Sequence, residues 1–389
     1  VLNQAATILV IDDESALLRS ITAYLEDSGY VALSAENGRE GLDVFEQSRP
    51  ALVLTDLHMP VLGGLEVLRT ITKKYPDTPV IVISGAGELN DAIEALRFGA
   101  WDYITKPISD LQVLEHAIKK ALERKQLIEQ NKKFAQNIEH NLKILEEDQI
   151  AGRRVQKTLL PADNLRINNY SFSYKIIPSL ELSGDFVEYF LIKDDLIGVY
   201  LADVSGHGAS SAFITILLKG MIAKYNVQYH AQQDNTILDP AKLMEAVSNE
   251  LFAAKLGKYL TCIFGLINTK TDEFTYAVCG HYPNPILVNA SGAAKILPGS
   301  GFPIGIIADV KYETQSIKLS KDEYIAMFSD GVMEVYEKGK SLDEKEQGLL
   351  RSVQECKGDL SVLLRSSGAT TTTNIAQPDD ITILLIVRN

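Results

Sequence analysis

Three aspartates, a serine and a lysine near the start of the chain could together move a phosphoryl group. Asp12 and Asp13 close the apolar run ILVI, Asp56 closes ALVLT, Ser84 follows PVIVI, and Lys106 follows DYIT just before Pro107. Each stands at the carboxyl end of a strand-like run. Carboxylates gathered there repel one another unless a divalent cation lies between them, and Mg²⁺, a hard ion that prefers oxygen, suits them. A carboxylate beside Mg²⁺ can act as nucleophile toward phosphorus, with Lys106 balancing the charge of the transferred group and Ser84 hydrogen-bonding a phosphoryl oxygen. Singly, each residue reads as a cap or a surface charge; the set, at the ends of successive strands, carries the chemistry.

A second set of acids lies far downstream in glycine-rich settings: Asp185 in LSGDFVEYF, Asp203 in LADVSGHGA, Asp330 in FSDGVMEV, and Asp379 with Asp380 in QPDDITILL. A flanking glycine lets the backbone approach a ligand or metal closely. Carboxylates collected from four strands are costly without counter-charge, so a pair of Mn²⁺ or Mg²⁺ ions is the natural compensation. Such a pair lowers the pKa of a bound water and clamps an in-line phosphoryl displacement. Read one at a time, the same DG and DD pairs are turn aspartates that cap hairpins.

The elements that must position these residues follow from hydrophobic periodicity. Up to Pro107, five short apolar runs alternate with amphipathic stretches, which predicts a doubly wound parallel sheet with function at the carboxyl ends of its strands. From Ser109 to about Leu160 there is no internal proline and no strand signal. The positions Leu114, Ala117, Ala121, Arg124, Ile128, Asn131, Ala135, Ile138, Leu142, Leu145 and Gln149 advance by alternate threes and fours, a heptad seam that predicts a parallel dimeric coiled coil. A solvated helical linker is the alternative. After Pro161 come strands, including the hairpin DFVEYFLIKDDLIGVYLADV, interrupted by two amphipathic helices near Ala209 to Tyr225 and Pro240 to Ala254, which predicts a two-sheet α+β sandwich flanked by helices. SSGATTTTNIAQP, before the last strand, has the composition of a mobile loop.

Composition narrows the classes. A length of 389 residues predicts two or three domains, and 46% apolar with 23% charged residues is the balance of a globular chain. A formal charge of −13 argues against non-specific binding to nucleic acid or anionic lipid. Cys262, Cys279 and Cys356 are too few and too widely spaced for a disulfide framework or a four-ligand zinc site, so reduced structural thiols are expected. No run approaches the roughly 20 apolar residues of a membrane span, and no basic n-region precedes the first strand, so a soluble, cytoplasmic protein is expected.

The motifs IDDE, LTDLHMPVLGG, ISG and GAWDYITKP resemble the CheY-like receiver domain of two-component response regulators. By that resemblance residues 1–120 are a receiver phosphorylated by a sensor histidine kinase. Asp56 is then the phosphoacceptor, Asp12 and Asp13 hold Mg²⁺ together with a backbone carbonyl, that of His58 two residues past Asp56, and Ser84 with Tyr103 forms the switch. Residues 109–160 are then a helical linker.

VQKTLLP, SGDFVEYF, ADVSGHGASSA, CGHYPNP, GFPIGI, FSDGVMEV and DDIT resemble the metal-dependent type 2C (PPM) serine/threonine phosphatases, in the SpoIIE and RsbU branch acting on phosphorylated anti-sigma factor antagonists. The resemblance implies a phosphatase domain over 161–389. It assigns Asp203, Asp330 and Asp379 to one metal, and Asp185, Asp203 and the carbonyl of Val204 to the other. One departure is Glu188, where the branch usually has aspartate; the extra methylene puts a direct or water-mediated metal role in doubt. His207 and His281 can be read as acids or bases, or as turn and packing residues. The alternative is an adaptor of the RssB type, with the same layout but no catalysis, which binds a sigma factor and delivers it to a protease. A cyclase or DNA-binding output finds no motif after Leu160.

Overall fold

The computed structural model describes residues 5–85, 89–108, 110–335, 341–366 and 379–389. By internal contacts the chain divides into Val1–Leu142 and Lys143–Asn389.

In the first unit, β1 (Thr7–Ile11), β2 (Val31–Ala35), β3 (Leu52–Asp56), β4 (Val80–Gly85) and β5 (Asp102–Lys106) alternate with α1 (Ser15–Asp27), α2 (Gly38–Ser48), α3 (Gly64–Lys74), α4 (Leu89–Arg97) and the start of α5 (Leu111–Leu159). The strands pair in the order β2-β1-β3-β4-β5, all parallel. Runs such as Val80 to Ile83 are buried throughout because helices cover both faces of the sheet. Asn37 caps α2 by accepting the Glu40 N–H. Glycine is required at Gly64, where a Cβ would stand 1.8 Å from the Asp56 carbonyl oxygen, so α3 can begin against the end of β3.

The helix from 111 to 159 agrees with the expected uninterrupted stretch, but its seam is divided. Leu114, Ala117 and Ala121 are buried in the core of the parallel-sheet unit, and Arg124 lies over the Trp101 ring, 4.8 Å from its centroid. These four positions are therefore used within the chain and are not free for a partner helix. Further along, Ile138, Leu142 and Leu145 are each more than half exposed.

The second unit is the expected sandwich. One sheet has the order β14-β11-β10-β9-β8, from β8 (Asp185–Lys193), β9 (Leu196–Val204), β10 (Leu260–Asn268), β11 (Glu273–Cys279) and β14 (Gln315–Lys318). The other has the order β13-β12-β15-β16-β7-β6, from β6 (Leu165–Ile167), β7 (Tyr170–Ile177), β12 (Ile286–Val288), β13 (Ala294–Ile296), β15 (Tyr324–Phe328) and β16 (Ile381–Arg388). Val187, Leu201 and Ile263 of the first sheet meet Phe172, Met327 and Leu384 of the second in the central core. The helices α6 (Ala209–His230) and α7 (Pro240–Ala254) cover the first sheet; α7 starts with Asp239 as its N-cap and Pro240 in its first turn.

The second sheet is covered by α9 (Leu342–Cys356) and α10 (Leu360–Ser366), preceded by the short α8 (Gly331–Val335); none of the three is foreseen from the sequence. A capping box between Ser341 and Glu344 opens α9. The low-complexity stretch lies, beyond Ser366, outside the described residues. All three cysteines are buried and free, and burial pushes the Cys262 and Cys279 thiols up, as befits structural residues. Among the described residues no helix is long and apolar enough to cross a membrane.

Candidate phosphoryl-transfer sites

At the carboxyl end of the parallel sheet, Asp12, Asp13 and Asp56 come together, with ligand oxygens all within 4.8 Å of one another. It is the one such group of acids, histidines or cysteines among the described residues. Adjacent parallel strands in register explain it: β1 and β3 pair from Ile8↔Leu52 to Ile11↔Thr55, so their next residues emerge side by side. Lys106 Nζ reaches Asp12 Oδ2 and Asp56 Oδ2, both at 2.8 Å. Burial alone would lower the Lys106 pKa, but the two carboxylates outweigh it and hold the ammonium charged. Asp56 Oδ1 accepts the Leu57 N–H at 2.7 Å, which leaves its other oxygen toward the lysine.

Ser84 is buried at the end of β4, in register with Thr105 of β5, and Tyr103 packs half-buried against the core. The His58 side chain turns to Asp91 Oδ2 at 2.8 Å and is largely exposed, so only its backbone carbonyl is left to serve the acids. The arrangement combines a carboxylate, oxygens for a divalent ion and a fixed cation, which are the parts needed for acyl-phosphate formation.

In the sandwich, the acids come from the same end of both sheets. Asp185 opens β8 and Asp203 nearly closes β9, and the two are direct cross-strand partners. Asp330 follows β15, and Asp379 and Asp380 precede β16, its antiparallel neighbour. Gly331 permits this closeness: a Cβ there would lie 2.0 Å from the Asp380 carbonyl oxygen.

Burial, then the charges of Asp330, Asp379 and Asp380, lifts Asp203 to about 7, and its carboxyl hydrogen-bonds that of Asp330. Burial and the charge of Asp203 push Asp185 well up, and burial with Asp379 and Glu334 raises Asp330. Asp185 Oδ2 accepts the Thr382 hydroxyl at 2.6 Å, while Oδ1 is buried with no hydrogen-bond partner among the described residues. A buried orphan oxygen among mutually destabilised carboxylates is a donor set that fits a divalent cation. The four acids are less tightly gathered than the trio of the first unit. Val204, whose carbonyl the resemblance implicates, is buried at the end of β9 beside Asp203.

Asp380 differs from its neighbour. It accepts four hydrogen bonds, from the Ser179 N–H and hydroxyl, the Ser183 hydroxyl and the Gly184 N–H, at 2.6 to 2.9 Å. It is therefore spent on holding the loop before β8, and Asp379 is the acid left for the cluster. Glu188 stands apart: it points to the helical face of its sheet and binds Lys219 of α6, which also donates to the Leu159 carbonyl at 2.6 Å. His281 is a packing residue, with Nδ1 2.8 Å from the Thr261 hydroxyl and Nε2 2.8 Å from the Phe328 carbonyl. His207 is exposed in the loop after β9.

Sequence reasoning missed the roles of Thr382, Lys219 and Gln156, and named Asp380 without separating it from Asp379. Gln156, buried near the end of α5, donates to the Ser183 carbonyl at 2.7 Å and accepts its N–H at 3.2 Å. DDIT holds Asp380 and Thr382, and VQKTLLP holds Gln156, so both motifs were available signals; Lys219 carries no local signature.

Comparison with known proteins bears on both sites. The response regulator receiver domain family matches residues 8–119, and Stage II sporulation protein E (SpoIIE) matches residues 193–389. The probable transcriptional regulator ycf27 of Porphyra purpurea is 39% identical over 129 residues, covering 33% of this chain and 52% of that protein. Of the curated relatives matching in this region, the chain spans about half the length or less. The Regulator of RpoS of Escherichia coli strain K12 is 20% identical over 305 residues, 78% of this chain and 88% of that one. Among solved structures, the SiaA-PP2C domain of Pseudomonas aeruginosa aligns at a TM-score of 0.52 and 16% identity, over 64% of this chain and 98% of that one, a likeness of fold.

Proposed function

Because the chain belongs to the Stage II sporulation protein E (SpoIIE) family and carries a receiver domain ahead of that region, we propose that it is a response regulator whose output is a metal-dependent protein serine/threonine phosphatase. Residues 1–120 are the receiver, 109–160 the linker and 161–389 the phosphatase. A sensor histidine kinase supplies the phosphoryl group to Asp56, with Asp12, Asp13 and the His58 carbonyl holding Mg²⁺, Lys106 balancing charge, and Ser84 with Tyr103 reading the product. The substrate is a phosphorylated anti-sigma factor antagonist or similar regulator, and a cytoplasmic location belongs to the same reading.

The observation that carries the catalytic half is the linked set Asp185, Asp203, Asp330 and Asp379, with its orphan Asp185 oxygen and an Asp203 held up to about 7. These residues and the Val204 carbonyl would hold two Mn²⁺ or Mg²⁺ ions. The chemistry such a pair supplies is activation of water and charge clamping in an in-line phosphoryl displacement. Thr382 orients Asp185, and Asp380 fixes the loop that carries it. The deciding experiment measures phosphate release from a phosphoserine protein with Mn²⁺, with and without beryllofluoride on the receiver. Turnover lost in Asp203→Asn and acetyl-phosphate labelling lost in Asp56→Asn are expected; unchanged behaviour of either variant would sink that half.

The match to the Regulator of RpoS across both halves favours a second reading, an adaptor that binds a sigma factor and delivers it to a protease without catalysis. It takes over if the wild type binds Mn²⁺ poorly and releases no phosphate in either receiver state.

A further inference from the structure

A cleft of about 200 Å³ lies between α6 and the strands β8 and β9. Strand and helix periods make it. Glu188 and Phe190, two residues apart, share the helix-facing side of β8, and Tyr200 of β9 is the cross-strand partner of Glu188. Lys219, Ile222, Ala223 and Asn226 follow at the three- and four-residue steps of one face of α6. Ala223 is exposed and stands at the mouth.

Two polar atoms of this lining, the Tyr200 hydroxyl and Asn226 Oδ1, are buried with no hydrogen-bond partner among the described residues. Tyr200 is fully buried, and burial, followed by the charge of Glu188, pushes its hydroxyl well up, so it stays protonated. Buried polar groups are normally paired, so two orphans in one cleft mark a place where a partner belongs. Glu188 and Lys219, the two charged residues of the lining, are already joined as an ion pair, which leaves the cleft without net charge. The rest of the wall is apolar: Phe190, the Tyr200 ring, Ile222 and Ala223. The space far exceeds what one water needs, and an apolar cavity of roughly 150 Å³ already admits benzene.

We infer that this cleft is a binding site for an uncharged molecule of about one ring in size that carries a hydroxyl, with the ring against Phe190 and Ile222 and the hydroxyl at Tyr200 and Asn226. A hydroxyl both donates and accepts, so one group can meet both orphans. The site lies on the face of β8 opposite Asp185, and the inference stands whether or not the chain is a phosphatase.

The probes are 4-fluorophenol and fluorobenzene, each titrated with the full chain and followed by fluorine NMR. 4-Fluorophenol should saturate within about 10 mM, a range open to a ligand of roughly eight heavy atoms, and should bind about tenfold more tightly than fluorobenzene. Asn226→Leu removes an orphan oxygen and no hydrogen bond, so the fold should hold while the gap between the probes shrinks to about twofold. Ala223→Trp, at an exposed helical position, should fill the mouth and abolish saturation with helix content kept in circular dichroism. Absence of saturable binding by the wild type would mean that only water meets the two orphans, and overturns the site. Equal affinity for the two probes does the same, as does wild-type binding in a folded Ala223→Trp. Should that variant lose its helix content, Asn226→Leu decides alone, and an undiminished tenfold gap there overturns the site.

Discussion

Thr382 of β16 donates its hydroxyl to Asp185 Oδ2 at 2.6 Å, joining one sheet of the sandwich to the acid that opens the other. The contact is buried and leaves Asp185 one buried oxygen with no hydrogen-bond partner among the described residues. Loss of a residue that orients a metal ligand commonly weakens metal affinity by roughly 10- to 100-fold. Thr382→Val, close in shape, should show that loss by calorimetric titration with Mn²⁺ while the circular dichroism spectrum stays unchanged. Wild-type affinity in the variant would remove Thr382 from the site.

Glu188 and Asp185 lie on opposite faces of β8, an odd number of residues apart. Burial raises the Glu188 carboxyl, and Lys219 opposes that shift. Glu188→Ala should therefore cost stability, about 1–3 kcal/mol by urea denaturation, because Lys219 loses a buried acceptor. Its Mn²⁺ affinity should stay within about twofold of wild type, since the residue lies outside the cluster. A tenfold loss of affinity would return Glu188 to the metal site.

His281 is held neutral. The Phe328 carbonyl only accepts, so Nε2 carries the proton and Nδ1 accepts from Thr261. Burial lowers its pKa from 6.5 to about 4, so on acidification the unfolded chain takes up the proton first. The stability contributed by neutral His281 is fully present above about pH 6.5 and is lost as pH falls toward 4, by about 3 kcal/mol. The raised Asp185, Asp203 and Asp330 work in the opposite sense, since the folded chain takes up their protons first, so the comparison must be with His281→Gln. Urea denaturation at pH 7 and pH 5 should show a smaller acid loss in the variant; parallel losses would refute the assignment.

The exposed part of α5 carries Leu127, Phe134, Ile138, Leu142 and Leu145, each about 60% exposed. If the heptad seam does pair two chains, this stretch, beyond Arg124, is where the parallel coiled coil would form. Ile138→Asp with Leu142→Asp would bury charges in that seam and should give a monomer by light scattering at micromolar concentration, with helix content kept. A wild type already monomeric, with and without beryllofluoride, would leave the helix as a spacer only.

The parallel sheet was legible because its central strands β1, β3 and β4, covered on both faces, are nearly continuous apolar runs, with Asp12 just past β1 and Asp56 closing β3. The sandwich strands β8, β9, β10 and β16 were legible for the same reason. By contrast, β6, β13 and β14 have only three or four residues each, too few for a period of two to stand out. In α9 the buried Leu349, Val353 and Cys356 are scattered among charges, and only the Ser341 and Glu344 capping pair marked the start. In DD, one aspartate faces the cluster and the other holds a loop about two hundred residues earlier in the chain; only the fold separates them. The heptad seam was readable as a pattern, yet a pattern does not say whether the receiver core or another chain will cover it.

The clasp between Gln156 and Ser183 bears on how such a module can be reused with other sensors. The compact C-terminal unit begins at Lys143, inside α5, and the buried amide that grips the loop before Asp185 belongs to that helix. A transplantable output module is therefore the sandwich together with its own helical stub, and a cut at Pro161 would discard the stub. Any new sensor must also join in phase. One residue inserted or removed between the junction and Gln156 rotates the two helical segments by roughly 100° relative to each other. With the stub held by Ser183, that rotation falls on the incoming sensor, so grafts should tolerate length changes of whole turns better than changes of one residue.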